Sequence, residues 1–187
     1  MPIQVKDLQI ADILLSSTNS GVSWAIRSGT LSRYSHAALY IGNGEIIEAV
    51  KNGVLRVKLA EAIQEESIVS VYRRRSMSTG QANMVVRYAT QQLGKEYDAS
   101  GAIGGGITSN SGYIIGVFLS PVVVVVGIAA DAYNRSNPAG KFYCSELVAI
   151  AFEYAKAPLG KGSASTTPKD VSRSQYLNYV GDLKGPK

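Results

Sequence analysis

The chain has 187 residues, a net charge of +5, one cysteine and one histidine. That length suffices for a single domain with a buried core, and the counts exclude both an internal disulfide and a zinc site built from a Cys/His cluster. The basic excess attracts anionic surfaces only weakly, so no nucleic-acid partner is expected, and its densest run, Arg73-Arg74-Arg75, reads as a solvated strand end.

The first residues, Met1 to Asp7, lack the basic-then-apolar pattern of a secretory signal. Ala11 to Ser16 is a short apolar run bounded by turn formers and reads as a strand, and Ser20 to Arg27, with Trp24 and Ile26, as a short helix. The clearest hairpin joins Ser35–Ile41 to Glu45–Val50 through Gly42-Asn43-Gly44. Strands at Gly53–Lys58 and Ser67–Arg73 follow, separated by a helical turn at Leu59–Ile63. Ser78 or Thr79 caps a helix running to Leu93, with Met84, Val85, Tyr88, Ala89 and Leu93 as its apolar face and Gly94 as its stop. Beyond Tyr97 lies a Gly/Ser-rich loop, Ser100 to Gly112, in the position of a lid. Ile114 to Ala130 is then almost wholly apolar, with Pro121 and a valine run, Val122 to Val126. It falls short of the ~20 residues of a membrane span and reads as a buried strand or hairpin, or as a surface touching a bilayer or a partner. A helix from Cys144 to about Ala157, a loop from Gly160 to Thr167 and a short helix from Pro168 complete the chain. Antiparallel hairpins with separate helices argue for an α+β domain. The whole of 1–187 is taken as one domain, with an apolar and glycine-rich insertion at about 99–140.

Cys144 heads that helix, with Val148, Ala151, Phe152 and Ala155 continuing its apolar stripe. Unpaired N–H groups and the dipole at a helix N-terminus favour thiolate over thiol. A free cysteine is more often a small buried hydrophobe than a nucleophile, and a single histidine more often structural than catalytic. Together, the lone Cys144 and the lone His36 form a candidate nucleophile and base. Glu48 is the candidate orienter of the imidazole, on a condition. A three-residue turn at Gly42-Asn43-Gly44 sets Ala38 opposite Glu48, on the face of His36, whereas a two-residue Asn43-Gly44 turn slips the register and sends Glu48 to the other face. Glu45, at the turn, reads as a solvated charge.

Four segments together resemble a known family: Tyr34-Ser35-His36-Ala37-Ala38-Leu39-Tyr40-Ile41-Gly42; Ile46-Ile47-Glu48-Ala49; Gly94-Lys95-Glu96-Tyr97-Asp98; and Phe142-Tyr143-Cys144-Ser145-Glu146-Leu147. They resemble the circularly permuted branch of the NlpC-type papain-like hydrolases, with its YiiX-like and lecithin:retinol-acyltransferase-like members. Ordinary members run tyrosine motif, cysteine helix, histidine strand, polar residue; here the order is His36, Glu48, Tyr97, Cys144. The resemblance implies a permuted papain-like fold, an antiparallel sheet packed against helices with the cysteine at a helix N-terminus. It also implies Cys144, His36 and Glu48 as catalytic residues, Tyr97 as an oxyanion donor and Tyr143 as a lining or structural aromatic. No cofactor or metal is expected. The long interval from Tyr97 to Cys144 departs from the family pattern and leaves substrate specificity open.

The function expected from this resemblance is a cysteine hydrolase cutting an amide bond in peptidoglycan peptide, as endopeptidase or amidase. A monomeric antibacterial effector is envisaged, made in the cytoplasm, delivered to the periplasm of a target cell by a specialised secretion system and matched by an immunity or inhibitor protein. The alternatives are a lipid acyl hydrolase or acyltransferase, with peripheral membrane contact through Ile114–Ala130, and a non-enzymatic binding module on the same scaffold.

Overall fold

The computed structural model describes residues 1–18, 27, 31–96, 142–160 and 166–184. The expected helix at Ser20–Arg27, apart from Arg27 itself, lies outside them, as do Tyr97, the glycine-rich loop, the apolar segment and the 99–140 insertion.

Six strands, β1 (Ile13–Ser17), β2 (His36–Gly42), β3 (Glu45–Val50), β4 (Gly53–Lys58), β5 (Ile68–Arg74) and β6 (Leu177–Lys184), form one sheet in the order β4-β3-β2-β1-β5-β6. Every neighbouring pair is antiparallel. The helices are α1 (Leu59–Ala62), α2 (Thr79–Gln91), α3 (Cys144–Tyr154) and α4 (Pro168–Ser172). The chain therefore has the expected α+β architecture, an antiparallel sheet with separate helices, and expected and observed boundaries agree within two or three residues except at β6.

Period-two alternation splits the sheet into two faces. Ile13, Leu15, Ala37, Leu39, Ile47, Ala49 and Val54 join one core with Val85 and Ala89 of α2 and Leu147, Val148, Ala151 and Phe152 of α3. Leu14, Ala38, Tyr40, Ile46, Val69 and Val71 point the other way, onto a smaller cluster with Leu8 and Leu59. With both faces covered, all five residues of β1 are buried, which is why it reads as a continuous apolar run rather than an alternating one. On α2 the buried face is Ala82, Val85 and Ala89; Met84 and Leu93, expected inside, are exposed.

The arginine run is not a solvated strand end. Arg73 clamps the fully buried Asp12 through Nε and Nη2, each at 2.7 Å. Arg74 donates to the Ala157 carbonyl at 3.3 Å and lies over the Tyr176 ring, and Arg75 bonds Asn178 at 2.7 Å. Glu45 is the solvated charge expected at the turn, paired at the surface with Arg56.

The edge strand β4 anchors the segment that precedes the nucleophile. Val54 N–H donates to the Lys95 carbonyl and Gly94 N–H to the Val54 carbonyl, both at 2.9 Å, while Phe142 N–H donates to the Glu96 carbonyl at 3.1 Å. Two motifs far apart in sequence, Gly94-Lys95-Glu96 and Phe142-Tyr143-Cys144, are thereby joined. Gly53 makes the approach feasible: its φ is +106°, and a Cβ there would lie 2.7 Å from the Lys95 carbonyl oxygen. Gly53→Ala combines backbone strain with that clash and is expected to lower the unfolding free energy by about 2 kcal/mol in urea titration.

Candidate active site

The hairpin register decides where Glu48 points. Gly42 pairs with Glu45, so the turn is the two-residue Asn43-Gly44 type, with φ of +53° and +72° at its centre. On its own this would turn Glu48 away from His36. A register shift between Tyr40 and Gly42 absorbs one residue, however, so that Tyr40 pairs with Ile46 and Ala38 with Glu48. Glu48 thus returns to the face of His36 by a bulge at Ile41, not by the longer turn. Its Oε2 lies 2.6 Å from His36 Nε2.

Cys144 approaches from the helical side of the sheet. It is the first residue of α3, whose N-cap, Tyr143, is extended. The carboxylate of Glu146, fully buried, accepts a 3.5 Å hydrogen bond from the Tyr143 N–H, and Ser145 Oγ donates to the Thr166 carbonyl at 2.6 Å, fixing the first turn. Paired residues of β2 and β3 run from the turn only as far as Ala38–Glu48. Past that point the Ala37 N–H donates to the Cys144 thiol. Cys144 also receives the Ser145 N–H and hydrogen-bonds the His36 ring. Since Glu48 occupies Nε2, Nδ1 is the ring nitrogen left for sulfur.

The electrostatics of the pair follow from these contacts. Burial by itself pushes the Cys144 thiol up, but the hydrogen bond to His36, the imidazolium charge and the two backbone N–H donors outweigh it and hold the thiol below its ordinary value. Burial likewise disfavours a charged His36, yet its hydrogen bonds to Cys144 and Glu48, with the charges of both, keep the imidazole well above its ordinary 6.5. The two shifts describe one coupled state, thiolate beside imidazolium. His36 and Glu48 retain 21% and 13% of their side-chain exposure, whereas Cys144 is buried at 6%, so the polar pair rather than the sulfur reaches the surface.

Of the residues expected from sequence, Cys144, His36 and Glu48 are brought together. Tyr97 lies outside the described residues. Tyr143 is 3% exposed, so its place is that of the structural aromatic at the start of the helix. Sequence reasoning missed Glu66, whose carboxyl is electrostatically coupled to both His36 and Glu48; it precedes β5 in a loop without a motif and carries no local signal. Among the described residues, no group of three or more His, Cys, Asp or Glu side chains is arranged to hold a metal ion.

Residues 7–103, a span that includes His36 and Glu48, match the model of a family of permuted papain-like amidases, the YaeF/YiiX or C92 family. The chain is 26% identical over 205 aligned residues to the probable lipoprotein peptidase YaeF of Escherichia coli K12, covering 97% of this chain and 73% of that one. The crystal structure of the metalloprotein YiiX from Escherichia coli O157:H7 matches it with a TM-score of 0.65 at 21% identity, covering 95% of this chain and 98% of the other, a likeness of fold. Family and relative together support a peptidase or amidase. The chain belongs to the permuted papain-like amidase family of YaeF and YiiX.

Proposed function

We propose that the protein is a cysteine amidase that hydrolyses an amide bond in bacterial cell-wall peptide, with Cys144 as nucleophile, His36 as general base and acid, and Glu48 as the orienter of the imidazole. The observation that carries this reading is the hydrogen-bonded chain Cys144–His36–Glu48 at the N-terminus of α3. The thiolate attacks the amide carbonyl, forming the S–C bond while the carbonyl electron pair moves onto oxygen. The N–H of Cys144, which has no acceptor within its own helix, is suited to receive that oxyanion. Collapse breaks the C–N bond, and the proton from His36 leaves with the amine. Neutral His36 then takes a proton from water, whose oxygen attacks the thioester, and the acid departs as the thiolate–imidazolium pair is restored. Glu48 keeps the ring oriented throughout and stabilises its cationic form. A peptide substrate is supported by the family's amidase character and by YaeF, itself a probable peptidase.

The test is mass spectrometry of peptidoglycan sacculi incubated with the purified protein. Soluble peptide fragments are expected, with a newly exposed amine and carboxylate naming the bond cut. Fatty-acid release from phospholipid vesicles, with sacculi untouched, would move the assignment to a lipid substrate.

The role of Glu48 has its own signature. Thiolate is lost as pH falls through the low Cys144 value, and imidazolium is lost as pH rises through the high His36 value, so kcat/KM is bell-shaped. Glu48→Gln removes a negative charge from Nε2 and lowers the His36 value. The alkaline limb is therefore expected to move to lower pH, with kcat/KM at the optimum down about 10²-fold; a limb that stays in place contradicts the assigned role.

A further inference from the structure

A cation stands beside the segment that leads into the nucleophile. Tyr143, between Phe142 and Cys144, is extended, so the side chains of Phe142 and Cys144 leave the chain on the same side. Both enter the core shared with α3, and their Cα atoms are about 7 Å apart, the span of two extended residues. The ammonium of Lys95 lies 5.4 Å from the centre of the Phe142 ring. Lys95 is exposed, whereas the ring beneath it is buried.

The backbone holds Lys95 in this place. Gly94 has a φ of +81°, its N–H donates to the Val54 carbonyl, and the Val54 N–H donates to the Lys95 carbonyl, both at 2.9 Å. That is a glycine-headed bulge against the edge of β4. The Lys95 N–H donates to the Gln92 carbonyl, and the Phe142 N–H to the Glu96 carbonyl, each at 3.1 Å. With both of its backbone groups bonded, Lys95 has only its side chain left to move.

The charge is not spent within the fold. Arg56 and Arg73 pair with Glu45 and Asp12, and Lys184 donates to two loop carbonyls. Among the described residues no carboxylate forms an ion pair with Lys95. The ring face attracts the ammonium but leaves its three N–H donors to water or an anion. Lys51, in the turn between β3 and β4, adds a second exposed cation close to Gly53, which itself abuts the Lys95 carbonyl; Glu96 is the exposed acid on this flank.

We propose that Lys95 is a specificity-determining residue that receives a carboxylate of the substrate about two residues from the scissile amide, so that the enzyme prefers an acidic peptide. The inference rests on Cys144 as the nucleophile of an amidase and adds the chemistry of the group beside the bond. Cell-wall peptides offer such carboxylates; their amidated forms do not. Lys95 makes and breaks no bond. Its contact forms with the bound substrate and persists through the transition state, so its loss raises KM rather than lowering kcat.

Two measurements test this, and the first needs no turnover. Iodoacetate and iodoacetamide alkylate the single cysteine through the same carbon, but only iodoacetate carries a carboxylate. At low ionic strength the ratio of iodoacetate to iodoacetamide labelling rates is expected to fall about threefold or more in Lys95→Met and to be kept in Lys95→Arg. The second compares muropeptides with free carboxyls and the same peptides chemically amidated. In the parent, amidation is expected to raise KM about tenfold with kcat little changed, a difference that disappears in Lys95→Met. An unchanged labelling ratio in Lys95→Met, or equal KM values for the two peptides in the parent, overturns the proposal and leaves the hydrolase reading standing. A lowered ratio with neither peptide turned over overturns the hydrolase reading and leaves Lys95 as a carboxylate-binding side chain.

Discussion

Cys144→Ala is expected to lower kcat/KM on sacculi by about 10⁴-fold or more while leaving the fold intact. The chemistry requires it: without sulfur no thioester forms, and no other cysteine is present to substitute. The fold does not depend on it, because the side chain removed is small and stands at the margin of a core built mainly from Leu147, Val148, Ala151 and Phe152 of the same helix. His36→Ala should be nearly as damaging, since the nucleophile, base and acid act as a unit and their losses do not add. Product release from Cys144→Ala within about tenfold of the parent would remove the cysteine from the mechanism. The assay is the fragment yield from sacculi over time, with thermal unfolding as the control for folding.

The largest expected effect on stability is far from the nucleophile. Asp12 is fully buried, accepts from both Nε and Nη2 of Arg73 at 2.7 Å, and takes the Gln9 N–H at 2.8 Å as well. Arg73 also reaches the Asp7 carbonyl at 3.0 Å, so this one side chain ties the N-terminal segment to β5. Arg73→Met leaves a buried carboxylate without its counter-charge and is expected to cost about 3–5 kcal/mol in urea unfolding. The double variant Asp12→Leu/Arg73→Met should recover much of that loss, because the unpaired charge rather than the missing pair carries most of the cost. A single-variant loss below about 1 kcal/mol would class the contact with ordinary surface ion pairs.

These two sites illustrate what could be read from the chain. The elements that set the site were legible because local patterns specify them: the capping residue Ser78, the Asn43-Gly44 turn and the apolar stripe behind Cys144 each act over a few residues. The Cys144 and His36 pair was legible because the residue counts admitted one thiol and one imidazole. The register that brings Glu48 to His36 was not. It depends on a bulge at Ile41 that no composition announces, and either turn length alone gave an incomplete answer. β6 was missed for a related reason. Asn178, Gly181 and Asp182 break its alternation, and its pairing with β5 shifts register twice, so only the neighbouring strand makes it a strand. Glu66 and the Asp12–Arg73 pair are tertiary facts: a charged run looks solvated until the buried partner it faces is known.

The mechanism stands on one physical claim, that contact with His36 favours the thiolate of Cys144 beside an imidazolium. The measurement closest to it is the rate of iodoacetamide alkylation of this single cysteine as a function of pH. Labelling is expected to persist below the ~8.5 of a free cysteine, and to return to or above that value in His36→Ala, where burial is left to act with less opposition. Labelling of the parent protein that rises only through about 8.5, unchanged by His36→Ala, would contradict it.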